Sequence, residues 1–113
     1  MRYEELPPLS RDEALQRLDS ADLDVLTTTI ARIALSDGDA DFIQDVLARF
    51  MQHPEPFVRS VAARCVGDLA RLHKRIDRQR IVPLLERLLR DPETAGAARD
   101  GLDDMETYLG ASR

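Results

Sequence analysis

The segments DADFIQDVLARFMQHPE (39–55) and DRQRIVPLLERLLRDPE (77–93) are two versions of one another, aligned without a gap at an offset of 38 residues. Asp39 falls on Asp77, Ile43 on Ile81, Leu47 on Leu85, Arg49 on Arg87, and Pro54-Glu55 on Pro92-Glu93. Apolar positions coincide in between: Val46 with Leu84, Phe50 with Leu88, Met51 with Leu89. Self-similarity at a period of about 35–45 residues marks stacked helical hairpins. The spacing predicts an all-α fold, a short α-α superhelix of about five to six helices in stacked antiparallel hairpins. Arrays of this kind present extended surfaces, so function is sought on a surface first.

Working outward, Ser10 and Glu13 have capping-box spacing and open a short helix expected to bury Leu15 and Leu18. A helix near 21–35 carries Leu23, Leu26, Ile30 and Ile33 on one stripe. Ser36-Asp37-Gly38 breaks it, with Gly38 expected in the left-handed conformation. Asp39 then caps a helix with the stripe Phe42, Ile43, Val46, Leu47, Phe50 and Met51. Pro56 suits the first turn of the next helix, which runs to about Leu72 and buries Val58, Val61, Ala62, Cys65, Val66 and Leu69. The small residues Ala62, Ala63 and Gly67 permit close approach of a neighbour. Asp77 caps a fifth helix with Ile81, Leu84, Leu85, Leu88 and Leu89 inward, Pro83 being tolerated early in it or as a mild kink. A last helix, from about 94 to Tyr108, has a thin inner stripe of Ala97, Ala98, Leu102, Met105 and Tyr108.

His53-Pro54-Glu55-Pro56-Phe57-Val58-Arg59, then Ala62-Ala63, Val66-Gly67 and Leu69, resembles the first helix of a HEAT repeat. Ile81-Val82-Pro83-Leu84-Leu85 through Leu88-Leu89-Arg90-Asp91-Pro92 resembles its second helix. The resemblance implies one HEAT-like domain over 1–113, with a degenerate repeat at 20–52, the best repeat at 53–90 and a shortened C-terminal cap at 91–108.

At 113 residues the chain makes one domain. The opening MRYEELPPLSRDEA has no apolar core of a secretory signal, and no run reaches the roughly 18 apolar residues of a membrane span. Cys65 is the only cysteine and lies on an apolar helical face, so it reads as a small buried hydrophobe. A cytoplasmic location and no membrane partner are expected.

Nothing asks for chemistry. His53 and His73 have no cysteine at ligand spacing, so no metal is expected. The glycines form no phosphate-binding cluster and no serine sits in a Gly-x-Ser-x-Gly setting. Asp103 and Asp104 diverge by about 100° on a helix and do not share a substrate. No catalytic residues and no cofactor are expected.

The net charge of −5 is banded: −7 over 1–55, +6 over 56–90 and −4 over 91–113. Two acidic groups stand out as candidate partner-binding residues. Asp37, Asp39, Asp41 and Asp45 lie at the start and outer face of the third helix; Asp100, Asp103, Asp104 and Glu106, with Tyr108, lie late in the last. Capping and the helix dipole explain Asp39 and Asp41 individually, but not Asp45. Late in a helix, carboxylates oppose the dipole, which points either to a partner surface or to a solvated face. The basic band Arg71, His73, Lys74, Arg75, Arg78 and Arg80 serves either phosphate binding or internal pairing with the acidic bands. It has no interleaved aromatic residue and the chain has a pI near 5.0, so nucleic acid is not the expected partner.

A small, acidic, helical chain of this kind also resembles the immunity proteins of contact-dependent inhibition and polymorphic toxin systems. That resemblance implies a protein partner, a cognate and basic toxin domain, commonly a nuclease, with Tyr108, Phe57 and arginines as anchors. The alternatives are a HEAT-type scaffold or regulator with an unrelated partner, a nucleic-acid-associated protein using the band at 71–80, and a bilin-lyase-like role.

Overall fold

The computed structural model describes residues 7–110; the first six residues of the opening stretch read above for a signal therefore lie outside the described residues. Six helices follow one another: α1 (Arg11–Leu18), α2 (Leu23–Ser36), α3 (Ala40–Phe50), α4 (Pro56–His73), α5 (Arg78–Leu89) and α6 (Ala95–Leu109). Short polar side chains start the first three by accepting amides that have no partner in the first turn. Ser10 Oγ accepts from the Glu13 amide at 3.1 Å, and its hydroxyl donates to Glu13 Oε1. Asp22 accepts from Asp24 and Val25, and Asp39 from Asp41 and Phe42. Pro56 opens α4, where its missing N–H costs nothing. Asp77 stands at the start of α5 but its side chain caps nothing; its own N–H donates to Gln44 Oε1 at 2.7 Å, tying α5 to α3.

Helix ends depart from expectation. Gly38 is not left-handed: α2 stops at Asp37 in extended backbone (φ −75°, ψ 138°), where that residue's N–H still reaches the Ile33 carbonyl. The left-handed C-cap falls instead on Lys74, with φ 51°, at the end of α4.

The helices pair as α1 with α2, α3 with α4, and α5 with α6. One layer is α2, α4 and α6 side by side; in the other, α3 touches α5. The expected pairing of 53–69 with 81–92 in one hairpin is therefore corrected. Those segments are α4 and α5, which touch little, and the hairpin boundary falls one helix earlier. The segment 39–55 and its counterpart at 77–93 are equivalent first helices of successive hairpins, so the period of 38 stands while its phase moves.

The core runs continuously between the layers. Leu26, Ile30, Ile43, Leu47, Val58, Val66, Leu69, Ile81 and Leu85 are each less than 2% exposed. Two expected core residues are outside it: Leu15 is 46% exposed and Tyr108 39%. Leu15 lies on α1, an end helix covered only by α2, and Ala14 and Leu18 fill its inner face instead. Tyr108 is in the last turn of α6, the last helix of its layer among the described residues.

Helices α4 and α6 run parallel and very close. A Cβ on Gly101 would lie 2.6 Å from the Ala63 carbonyl oxygen, and one on Gly67 would overlap the Asp104 carboxylate. Across the turns, Arg59 donates to the carbonyls of His53 and Pro54, both at 2.9 Å, and to Asp91 Oδ2 at 3.1 Å. The second hairpin's turn is thereby fixed to the third's. Arg78 closes the end of α6 by donating to the Gly110 carbonyl at 2.7 Å.

Cys65 is 5% exposed, as its apolar setting predicted. Burial, with a smaller contribution from the Asp68 charge, pushes its thiol well above the ordinary cysteine range. Native protein is expected to resist a chromogenic disulfide reagent for hours, and to react within the dead time once unfolded in guanidinium. Rapid reaction under native conditions would contradict this packing.

Candidate functional site

The two acidic groups occupy different layers. The first lies on the α2–α3 turn and the outer side of α3, and arginines from elsewhere in the chain fill the space around it. Arg11 stands 3.9 Å from Asp37 and 3.6 Å from Asp39; Arg75 is 3.3 Å from Asp41; Arg80 pairs with Asp45. The amide of Phe42 foremost holds the Asp39 carboxyl below its ordinary range; desolvation, next in size, opposes it, and the Asp41 amide and the Arg11 guanidinium add to the lowering. Asp37 also accepts the Asp39 amide at 2.8 Å. The basic band neutralises the second half of this group: Arg75 from the α4–α5 connection and Arg80 from the first turn of α5 reach back to Asp41 and Asp45 of the preceding hairpin. His73 belongs to the same seam, its Nε2–H donating to the Asp37 carbonyl at 3.2 Å. These contacts lock one hairpin to the next and leave little charge to offer a partner.

The second group is different. Asp100 pairs with Arg64 of α4 at 3.5 Å. Asp103 and Glu106 are exposed, and no cation among the described residues pairs with either, or with Asp104. Asp104 is half-buried against the bare backbone of Gly67. A side chain on Gly67 would push this carboxylate away, so the glycine that permits close helix approach also sets the position of a charge. Tyr108 completes the group, exposed at the end of α6.

The layer formed by α2, α4 and α6 carries a feature that charge counting missed. Phe57 is 54% exposed and Leu72 44%, both on α4. They share one helical stripe with Val61, Arg64 and Asp68, at spacings of three and four. The register of α4 against α6 is set by Ala63 beside Gly101 and Gly67 beside Asp104, so the stripe lies alongside the acidic residues of α6. Phe57 was legible as an anchor; Leu72 was not, because it lies one step past the regular core stripe and nothing in the sequence says which side of a last turn is covered.

Both histidines are structural. His53 Nδ1 accepts the Glu55 amide at 3.0 Å and its ring stacks on Phe50. Among the described residues no group of His, Cys, Asp or Glu is arranged to hold a metal ion. No helix among them is long and apolar enough to cross a membrane.

The family model of the HEAT repeat matches residues 43–73, the body of α3 and the whole of α4. No curated protein and no solved structure matches the chain. The matched segment is itself one α3–α4 hairpin, in agreement with the helix pairing and not with a repeat beginning at 53. With three hairpins stacked in two layers, the chain has an all-α helical repeat fold whose second hairpin is similar to a HEAT repeat.

Proposed function

We propose that the chain is a protein-binding module for a basic partner domain, and that this partner is the toxin domain of a growth-inhibition system, which the chain neutralises. The observation that carries the first half is the contrast between the two acidic groups. Every carboxylate of the α3 group has an arginine beside it, whereas Asp103, Asp104 and Glu106 on α6 have none among the described residues. Three carboxylates in the second half of a helix oppose its dipole and gain nothing locally. A cationic partner supplies the missing counter-charge, and opposed fields accelerate encounter. The second half rests on the resemblance in size, acidity and helical content to immunity proteins. A toxin that grips phosphates needs a basic cleft, and a rigid acidic helix is a fitting occupant.

The test is co-expression in a heterologous bacterium. The C-terminal domain of the protein encoded beside this chain is produced with and without it. Growth arrest relieved only by the pair, together with a co-eluting complex on a sizing column, is the expected result. A harmless neighbour that forms no complex sinks the toxin reading and leaves a HEAT-type scaffold with an unrelated protein partner.

A further inference from the structure

Where the α6 side of the same layer is acidic, its α2–α4 side carries apolar side chains around one cation and one acid, Arg64 and Asp68, which stand on the α4 stripe between Val61 and Leu72 and are paired with Asp100 and Arg71. On α2, which packs along α4, Thr28, Ala31 and Leu35 recur at three- and four-residue spacing and are part-exposed, as is Val61 of α4. The two helices are held in parallel register at one end by His73 against the Asp37 carbonyl, which brings Leu35 to the level of Leu72. Phe57 closes the seam at its other end. From Phe57 to Leu72 the strip is about 22 Å long at 1.5 Å per residue, the length of four helical turns. Its largest side chains, Phe57 and Leu72, are among the few large apolar residues left open to water. Within α2 the stripe carries no charge after Asp24, while one helix spacing away on α6 stand the unpaired Asp103 and Asp104.

We infer that this seam docks an amphipathic cationic helix of the partner, its apolar face on Leu35, Phe57, Val61 and Leu72 and its lysines or arginines turned toward Asp103 and Asp104. The charge pattern chooses the occupant. A purely polar basic loop leaves the apolar seam wet, and an apolar helix without cations leaves the α6 carboxylates facing a surface that excludes their water. Apolar anchors that are large and central carry most of an interface's affinity, and the charged rim sets orientation and encounter rate. The inference rests on the protein-binding reading and narrows it to a mode of recognition.

The experiment uses the full chain, isotopically labelled, titrated with a synthetic 18-residue amphipathic helix of leucine and lysine. The comparison is a peptide of the same composition scrambled to destroy the apolar face. Amide shifts are expected to cluster on Ala31, Leu35, Val61, Leu72 and the outward side of α6, with the amphipathic peptide binding at least tenfold more tightly than the scrambled one. Phe57→Asp with Leu72→Gln should remove that tenfold advantage; both residues are exposed, and an acid in the first turn of α4 is tolerated. Equal binding of the two peptides would reduce the effect to attraction between opposite charges and overturn the inference. Shifts confined to α3 and α5 would overturn it as well. Growth rescue by a partner whose complex leaves the seam unshifted overturns the docking mode alone and keeps the binding module.

Discussion

Gly101→Ala is expected to destabilise the protein by about 2 kcal/mol, lowering its melting temperature by roughly 10 °C. The new methyl group meets the Ala63 carbonyl oxygen at 2.6 Å, with Leu85 close behind it at 3.4 Å. A backbone oxygen inside α4 has no rotamer by which to withdraw, so the two helices must separate along their whole contact. The gain of about 1 kcal/mol in helix propensity offsets only part of that. Gly67→Ala is the informative control. Its methyl meets the Asp104 carboxylate, which can swing into solvent, and Asp104 Cβ at 3.0 Å, which needs a shift of only a few tenths of an ångström, so stability should stay within about 1 kcal/mol of the parent. Thermal unfolding of the two variants side by side separates contact with backbone from contact with a movable side chain. Equal effects would contradict the parallel register assigned to α4 and α6.

Arg59→Ala is expected to destabilise by about 2–3 kcal/mol. The guanidinium serves two turn carbonyls and Asp91 at once, and its side chain is only 18% exposed, so solvent screens it less than it does the other arginines in ion pairs. Removing it strands His53 and Pro54 carbonyls at a turn with no other donor, and frees the second hairpin from the third. Arg59→Lys should recover little, since a single ammonium cannot span acceptors set for a planar fork. Denaturant unfolding monitored by circular dichroism checks both. A lysine variant as stable as the parent would show that charge alone mattered.

Much of the fold is readable in the sequence because stacked equivalents share an environment. Ile43 and Ile81, or Leu47 and Leu85, are all fully buried, and the 38-residue offset records that equivalence directly. The phase of the repeat is not so recorded. The turns at 51–55 and 74–77 are both short, and apolar periodicity says which face of a helix is covered without saying by which neighbour. Leu15 and Tyr108 fail for a related reason: at the ends of an array a helical stripe outlasts the helix that would cover it.

The two acidic groups looked alike in sequence, and only the fold separates them. Carried forward by 38 residues, Asp41 falls on Gln79 and Asp45 on Pro83, and one turn before these stand Arg75 and Arg80. In parallel neighbouring helices that spacing brings opposite charges together, so the pairs Asp41–Arg75 and Asp45–Arg80 were implicit in the repeat. No comparable arginine follows α6 within the described residues; Asp100 takes Arg64 of α4, and Asp103, Asp104 and Glu106 have no cation beside them among those residues.

The most direct test is a charge reversal on the complex with the proposed partner, the C-terminal domain of the protein encoded beside this chain. Asp103→Lys with Asp104→Lys changes net charge as much as Asp41→Lys with Asp45→Lys, on the opposite layer of the same molecule. Association rates at low and moderate salt should fall at least tenfold for the α6 pair, with the salt dependence flattened, and change little for the α3 pair. Equal losses from both pairs, or none from the α6 pair, would contradict the assignment of α6 as the charged face of the interface.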